Sequence, residues 1–283
     1  MVYLNGSYIQ KNKAFISVMD RGFLFGDGIY EVFPVYNNFI FGLDSHLNRL
    51  QKGLDTINIQ NPHSKDEWVK LINKIILINK DSDNQAIYLQ ISRGCDEDRK
   101  HTHAELIPTV YIQSSNIRPS SKDHLLNGRA ALCRDDIRWS KCNTKATSLL
   151  ANTMYAQEAK ENGAEETILC RNGVITEGSS SNVFIVKNNY IYTHPKGTLI
   201  LPGITREFII ECAKQCEIQL HEESFSEEEL FNADEVWVSS STREVIPITS
   251  INGKQIKDGL VGPVWSLIYD QYQILKTSSD NLL

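Results

Sequence analysis

A short stretch in the second half of the chain places a carboxylate and several hydroxyls between two apolar, β-branched runs. It spans residues 176–184, TEGSSSNVF, and its carboxylate is Glu177. The hydroxyls that follow belong to Ser179, Ser180 and Ser181. The residues before it predict a strand over 166–171, a tight turn at Asn172-Gly173 and a returning strand that ends near Glu177. A lone Glu beside Gly and Ser is usually a solvated loop residue. So many polar groups at a strand end instead favour a loop that binds a small ligand.

A second stretch that could do chemistry spans residues 136–145, DIRWSKCNTK, and ends in Lys145. Most lysines are surface residues that promote solubility. The apolar spacing after Lys145 predicts a helix over 145–162, closed by Gly163. Lys145 is therefore expected at the mouth of a helix.

Together the two stretches resemble the cofactor loop and the Schiff-base segment of the fold-type IV pyridoxal-phosphate (PLP) enzymes. The resemblance implies that Lys145 binds the cofactor covalently and that Glu177 faces its pyridine nitrogen, while the loop serines line it. It also implies that Arg49 binds the phosphate, which suits a planar guanidinium. Further cofactor contacts are expected from the amides of a helix start at Ile204 and Thr205, where Thr205 is a plausible cap, and from hydroxyls at a strand end, Ser240 and Ser241.

The substrate site is expected from two further stretches. Residues 20–31, DRGFLFGDGIYE, also resemble a fold-type IV signature, in which Tyr30 matches a tyrosine that reaches the substrate. Arg99 and His101 resemble the Arg-x-His pair that holds the substrate carboxylate in D-amino-acid aminotransferases. The chain departs from that pattern by one extra residue and by an acidic run at 96–98. A metal site at His101 and His103 is the alternative, but no third ligand is evident nearby, so no metal is predicted.

The resemblance implies ping-pong transamination between a D-amino acid and a 2-oxo acid, in a homodimer where Arg99 and His101 serve the neighbouring subunit's site. Two alternatives within the same fold stay open: branched-chain L-amino-acid transamination and aminodeoxychorismate lysis. A non-catalytic binding protein is a third reading, and the presence of Lys145 and Glu177 speaks against it.

The elements that must position these residues point to a two-domain α/β (α+β) protein. The resemblance places the cofactor in the cleft between an N-terminal α/β domain at 1–118 and a C-terminal cofactor-binding domain at 119–283, with a polar boundary at 116–123. Asn5-Gly6 predicts a hairpin, and Ser64 with Glu67 predicts a helix capping box. Arg49 stands beside an apolar helical stripe formed by Leu47, Leu50, Leu54 and Ile57. The residues from Thr277 onward are expected to fray.

Composition narrows the possible partners. The chain has 283 residues, of which 41% are apolar, and a formal charge of -6 with no basic stripe. Nucleic acid is therefore an unexpected partner. The start lacks the pattern of a signal peptide and no apolar run is long enough to cross a bilayer, so a cytoplasmic protein with small-molecule substrates is expected.

Overall fold

The computed structural model describes residues 1–80 and 82–277. Two compact units emerge from it. One comprises Met1–Arg118 with Thr144–Leu149, and the other comprises Pro119–Asn143 with the described residues from Leu150 onward. Each unit contains a β-sheet and helices, which confirms the predicted mixed α/β class. The assignment of 1–118 and 119–283 as domains stays a prediction.

The first unit contains an antiparallel sheet and helices. Its strand order is β2-β1-β6-β5-β3-β4. The strands are β1 Val2–Leu4, β2 Ser7–Ile9, β3 Gly28–Tyr36, β4 Phe39–Ile40, β5 Gln85–Ser92 and β6 Thr109–Asn116. The helices are α1 Arg21–Phe25, α2 Leu43–Thr56 and α3 Lys65–Ile78. The core lies where alternate strand residues such as Phe33 and Ile87 meet the buried stripes of α2 and α3.

Local sequence explains two of these elements. Asn5 and Gly6 adopt the positive φ angles that a tight hairpin between β1 and β2 needs, 44° and 91°. The Ser64 side chain accepts from the Glu67 amide, and the Glu67 side chain accepts from the Ser64 amide, so the predicted capping box starts α3.

The second unit is built on a nine-stranded mixed sheet, within the described residues. Its main order is β12-β11-β10-β13-β14-β7-β8-β9, and β15 pairs with β14. The strands are β7 Arg129–Asp135, β8 Glu166–Arg171, β9 Val174–Gly178, β10 Asn182–Lys187, β11 Tyr190–Thr193, β12 Leu220–Glu222, β13 Glu235–Ser240, β14 Glu244–Ile251 and β15 Lys254–Gln255. The helices are α4 Lys122–Leu125, α5 Leu150–Glu161, α6 Ile204–Gln215, α7 Glu227–Phe231 and α8 Pro263–Thr277. The parallel β7–β8 pair and the β8–β9 hairpin deliver Glu177 to a strand end.

Two helices begin at other residues than predicted, and the C-terminal segment lies mostly outside the described residues. The helix predicted over 145–162 begins only at Leu150, because the backbone of residues 145–147 is hydrogen-bonded to β3. Gly203 rather than Thr205 is the residue that caps α6, since Thr205 already has its place in the first helical turn. Thr277 ends α8, and the rest of the C-terminal segment expected to fray lies outside the described residues. No helix in the described part of the chain is long and apolar enough to cross a membrane.

Candidate active site

Lys145 is fixed by strand-like pairing with β3. Its carbonyl accepts from the Tyr30 amide at 3.0 Å, and the Thr147 amide donates to the Gly28 carbonyl at 3.0 Å. Ala146 forms an isolated bridge to Ile29 between these bonds. The half-buried Lys145 then lies with its Nζ 4.3 Å from the centre of the Tyr30 ring. The predicted catalytic lysine and the predicted substrate tyrosine are thus brought together, with the amine over an aromatic face.

Arg49 is held in a buried charge cluster behind Tyr30. The Glu31 carboxylate accepts from Arg49 Nε at 2.7 Å and Nη2 at 2.9 Å. The same carboxylate binds His46 Nδ1 at 2.8 Å. Burial would raise the pKa of Glu31, but Arg49 and His46 outweigh it and hold that pKa far below its usual range.

The pKa of the buried His46 is affected by three neighbouring charged groups. Burial lowers the pKa of His46, and the positive charges of Arg49 and Lys145 lower it further, against the raising effect of Glu31. Arg49 and Lys145 therefore lie close enough to act on one imidazole.

Arg99 and His101 lie on an exposed loop of the first unit, against Phe25 at the end of α1. The Arg99 guanidinium carbon is 4.8 Å from the centre of the Phe25 ring, and the His101 ring centre is 5.7 Å from it. One aromatic ring therefore supports both members of the predicted carboxylate pair. The acidic run before them includes Asp98, whose carboxylate pairs with Lys100 Nζ at 2.8 Å.

Glu177 is almost fully buried in the second unit, and Arg138 is its cation. Arg138 Nη1 donates to Glu177 Oε1 at 2.5 Å, while the Leu201 amide at 3.0 Å and Asn182 Nδ2 at 3.2 Å donate to Oε2. Arg138 also donates to both oxygens of Asp136, from Nε at 2.9 Å and Nη2 at 3.0 Å. One guanidinium is therefore shared between two carboxylates.

This sharing leaves Glu177 with a high affinity for a proton. Burial raises the pKa of Glu177 to about 7, although Arg138 and the Leu201 amide act to lower it and Asp136 raises it further. The pKa of Asp136 is lowered instead. Burial would raise it, but the two hydrogen bonds from Arg138 have the larger effect. A carboxyl with a pKa near neutrality can share a proton with a nitrogen base, which is what the predicted contact with a pyridine nitrogen demands.

The three loop serines face another carboxylate, Glu166 at the start of β8. Glu166 accepts from the Ser179 hydroxyl, from Ser181 Oγ at 2.8 Å and from Ser180 Oγ at 3.3 Å. Arg243 Nη2 binds the same carboxylate at 2.6 Å. Burial would raise the pKa of Glu166, but Arg243 and the hydroxyls hold it below its usual range. The serines thus form a fixed turn around Glu166, and their contact with a cofactor stays a prediction.

Arg243 also joins two of the predicted cofactor segments. It donates to Ser180 Oγ at 2.9 Å through Nη2 and to Ser240 Oγ at 3.3 Å through Nε. Ser240 ends β13, and Ser241 follows it; both are half-buried. One guanidinium therefore bridges a hydroxyl that follows β9 and the hydroxyl that ends β13.

The start of α6 lies against the Glu177 loop. Asn182 Nδ2 donates to the Leu201 carbonyl at 2.9 Å, and a Cβ placed on Gly203 would come within 2.1 Å of Asn182 Oδ1. A side chain at position 203 would have to displace the Asn182 amide. The close approach of Gly203 brings the first amides of α6, those of Ile204 and Thr205, toward the loop that holds Glu177, and a helix N-terminus favours an anionic group.

The amino-transferase class IV family matches residues 28–251. The chain therefore belongs to the class IV aminotransferases. It is 41% identical to the D-alanine aminotransferase of Bacillus licheniformis over 93% of this chain and 92% of that protein. Among solved structures, the branched-chain amino acid aminotransferase from Escherichia coli superposes with a TM-score of 0.90 at 27% identity, covering 100% of this chain and 96% of that one. A hypothetical aminotransferase from Mycobacterium tuberculosis, solved in a PLP-bound form, shares the fold with a TM-score of 0.84 at 20% identity, covering 98% and 99%.

Class IV aminotransferases depend on PLP, and the residues present fit that group. The second unit offers a buried carboxyl of raised pKa for the ring nitrogen, with helix amides and hydroxyls close by for a phosphate. The first unit offers the amine of Lys145 over the Tyr30 ring and the guanidinium of Arg49, which Glu31 holds in place. In the part of the chain that the structure describes, no three His, Cys, Asp or Glu side chains are placed to hold a metal ion.

Several residues that lie around the predicted site residues were not singled out in the sequence: His46, Asp136, Arg138, Glu166 and Arg243. Asp136 and Arg138 are two residues apart in the segment 136–145. On an extended chain this spacing places an acidic and a basic side chain on one face, so the sequence could have predicted their ion pair. Glu166 carried only a weak signal, a charged residue opening an apolar strand. His46 binds Glu31 and Arg243 binds Glu166, and in both pairs the partners are far apart in sequence. No local sequence pattern predicts these pairs.

Proposed function

We propose that this protein is a PLP-dependent aminotransferase that takes the amino group of a D-amino acid and passes it to a 2-oxo acid. The observation that carries the proposal is the Arg99 and His101 pair, supported by Phe25, in a chain 41% identical to a D-alanine aminotransferase. A cation and an imidazole on one loop are suited to hold a carboxylate.

Each residue then has a defined task. Bound PLP supplies the electron sink for the substrate Cα. Lys145 holds the cofactor covalently and, when its amine is free, moves the proton at Cα. Glu177 keeps a proton at the ring nitrogen, and Arg138 orients Glu177. Contacts to the phosphate come from Arg49, Ile204, Thr205, Ser240 and Ser241, while Ser179, Ser180 and Ser181 shape the loop beside the ring. Tyr30 lies next to Lys145 and meets the substrate.

Handedness follows from two fixed points. When the carboxylate is held by Arg99 and His101 and the amino group is held at the cofactor, only one enantiomer can aim its Cα–H at Lys145. The relatives named D-alanine aminotransferase support the D form. Branched-chain L-amino-acid transamination is the second candidate, favoured by the structural likeness to the E. coli enzyme.

A donor comparison tests the proposal. We expect kcat/KM with 2-oxoglutarate to be highest for D-alanine, above L-alanine and L-leucine. Losing a charge-assisted bond typically costs about 1.5–3 kcal/mol, so Arg99→Ala should lower kcat/KM for D-alanine by roughly ten- to hundred-fold. Lys100→Ala is the matched control, since Lys100 is an exposed neighbour paired with Asp98. A preference for L-leucine would refute the D-specific function and favour the second candidate.

The assembly and location are part of the same proposal. We infer a cytoplasmic homodimer in which a second copy covers the exposed apolar side chains of the first unit and brings Arg99 and His101 to its site. Phe15, Phe23 and Ile107 are 80%, 67% and 90% exposed in the subunit, and side chains of this kind are enriched in the buried core of subunit interfaces. Sedimentation equilibrium should give twice the chain mass, and a monomer at working concentration would contradict the inference.

A further inference from the structure

Arg21, the first residue of α1, is buried and its guanidinium faces the backbone of the carboxylate loop. We use this name for residues 99–102. Nη1 donates to the Lys100 carbonyl at 2.7 Å and to the Thr102 carbonyl at 3.4 Å, and Nη2 donates to the His101 carbonyl at 3.0 Å. The loop side chains are exposed, yet three consecutive carbonyls end on one buried guanidinium.

Arg21 is itself anchored. Its Nε donates to Asp27 Oδ2 at 2.9 Å, and its backbone amide donates to the Gly94 carbonyl at 2.9 Å. Asp27 is also bound by Arg93, from Nε at 2.8 Å and Nη2 at 2.9 Å. Burial would raise the pKa of Asp27, but hydrogen bonds from Arg93 and Arg21 hold it below its usual range. The guanidinium of Arg21 is therefore fixed by a carboxylate that stays charged.

Arg21 and Arg99 also contact the same ring. The guanidinium carbons of both residues lie 4.8 Å from the centre of Phe25. Arg21 therefore sets the loop through its carbonyls and shares with Arg99 the ring that supports it. Four of its five N–H donors are spent on these bonds, so little capacity is left for a direct contact with substrate.

We propose that Arg21 is a positioning residue for substrate recognition: it fixes the carboxylate loop so that Arg99 and His101 present their charges in one geometry. The inference rests on the proposed function, because it assigns Arg21 an effect only through the carboxylate pair. Arg93 provides the matched comparison, since it binds the same Asp27 but sends its other donors to the carbonyls of Ile57 and Asn58.

The experiment compares Arg21→Lys with Arg93→Lys in the PLP-loaded protein. Lysine keeps the charge beside Asp27 but cannot reach three carbonyls with a planar fork. Arg21→Lys should raise KM for D-alanine about tenfold or more, the size of effect that a small misplacement of a binding group produces. The kcat/KM for a simple amine donor should stay within about twofold of wild type, since it reports only the donor half-reaction, in which no carboxylate is bound. Arg93→Lys should leave the KM for D-alanine within the same twofold range.

A second measurement does not depend on activity. Hydrogen–deuterium exchange of the peptide covering residues 98–103 should be faster in Arg21→Lys and unchanged in Arg93→Lys. Unchanged exchange and KM in Arg21→Lys, or an equal loss with the simple amine, would overturn the positioning role. Should Arg21→Lys not fold, Arg21→Gln is the second variant, because it also removes the planar fork that reaches the three carbonyls, and unchanged exchange and KM in that variant would also overturn the positioning role.

The same series separates the two proposals. If Arg99→Ala lowers kcat/KM for D-alanine while Arg21→Lys changes neither readout, only the role of Arg21 is wrong. If Arg99→Ala has no effect on D-alanine, the carboxylate pair is misassigned and the proposed function falls with it.

Discussion

The state of Glu177 leads to a prediction about how the stability of the protein depends on pH. Its pKa is raised from the ordinary value of 4.5 to about 7, because the effect of burial is larger than the opposing effect of Arg138. The Arg138 guanidinium also donates two hydrogen bonds to Asp136. A folded state that binds this proton more tightly than the unfolded state loses stability as the pH rises between the two values. The contribution is fully present below pH 4.5 and is lost as the pH passes about 7.

The size of the effect follows from the two pKa values. A shift of one unit corresponds to about 1.4 kcal/mol, and integrating between pH 5 and pH 8 gives a loss of roughly 2.5 kcal/mol from this one group. Glu177→Gln keeps the shape of the side chain and removes the titration. We therefore expect the unfolding free energy of the variant to fall by roughly 2.5 kcal/mol less than that of wild type over this range.

The assay is urea denaturation at pH 5, 6, 7 and 8 on protein freed of cofactor by hydroxylamine treatment and dialysis. Glu166→Gln is the control, because the pKa of Glu166 is lowered from 4.5 and its contribution is lost only as the pH falls below the assayed range, so this variant should run parallel to wild type between pH 5 and pH 8. Parallel curves for wild type and Glu177→Gln would mean that Glu177 is ionised throughout this range. The shared-guanidinium explanation would then be wrong.

Three further predictions concern single residues. Lys145→Ala should abolish the visible absorbance that wild type retains after incubation with PLP and desalting, and an unchanged spectrum would show that another group binds the cofactor. Glu31→Gln should lower the unfolding free energy by roughly 3 kcal/mol in urea denaturation, because it leaves Arg49 and His46 buried without their carboxylate; a loss below about 1 kcal/mol would mean that both find other partners. Arg243→Ala should destabilise by roughly 3 kcal/mol at pH 7 but by less at pH 4, where the uncompensated Glu166 can take a proton. Equal losses at both pH values would contradict that explanation.

The sequence alone predicted those elements that depend on interactions between neighbouring residues. The Asn5-Gly6 hairpin needs only two residues that tolerate positive φ, and the capping box of α3 is closed within four residues. The motifs around Lys145 and Glu177 were also sufficient for the family, which the class IV match confirms. In each of these cases the residues that interact are neighbours in sequence, or the motif itself is contiguous.

The tertiary structure decided the rest, because the partners are distant in sequence. Residues 145–147 precede a helix in sequence, yet their backbone is hydrogen-bonded to β3. A local sequence pattern cannot predict that this pairing is more stable than an additional helical turn. The same holds for the carboxylates. Only the pairing of β8 with β9 shows that the loop serines face Glu166, and only folding places Arg138 between Asp136 and Glu177. A pKa near 7 for Glu177 thus comes from burial and a shared cation, which exist only once the chain has folded.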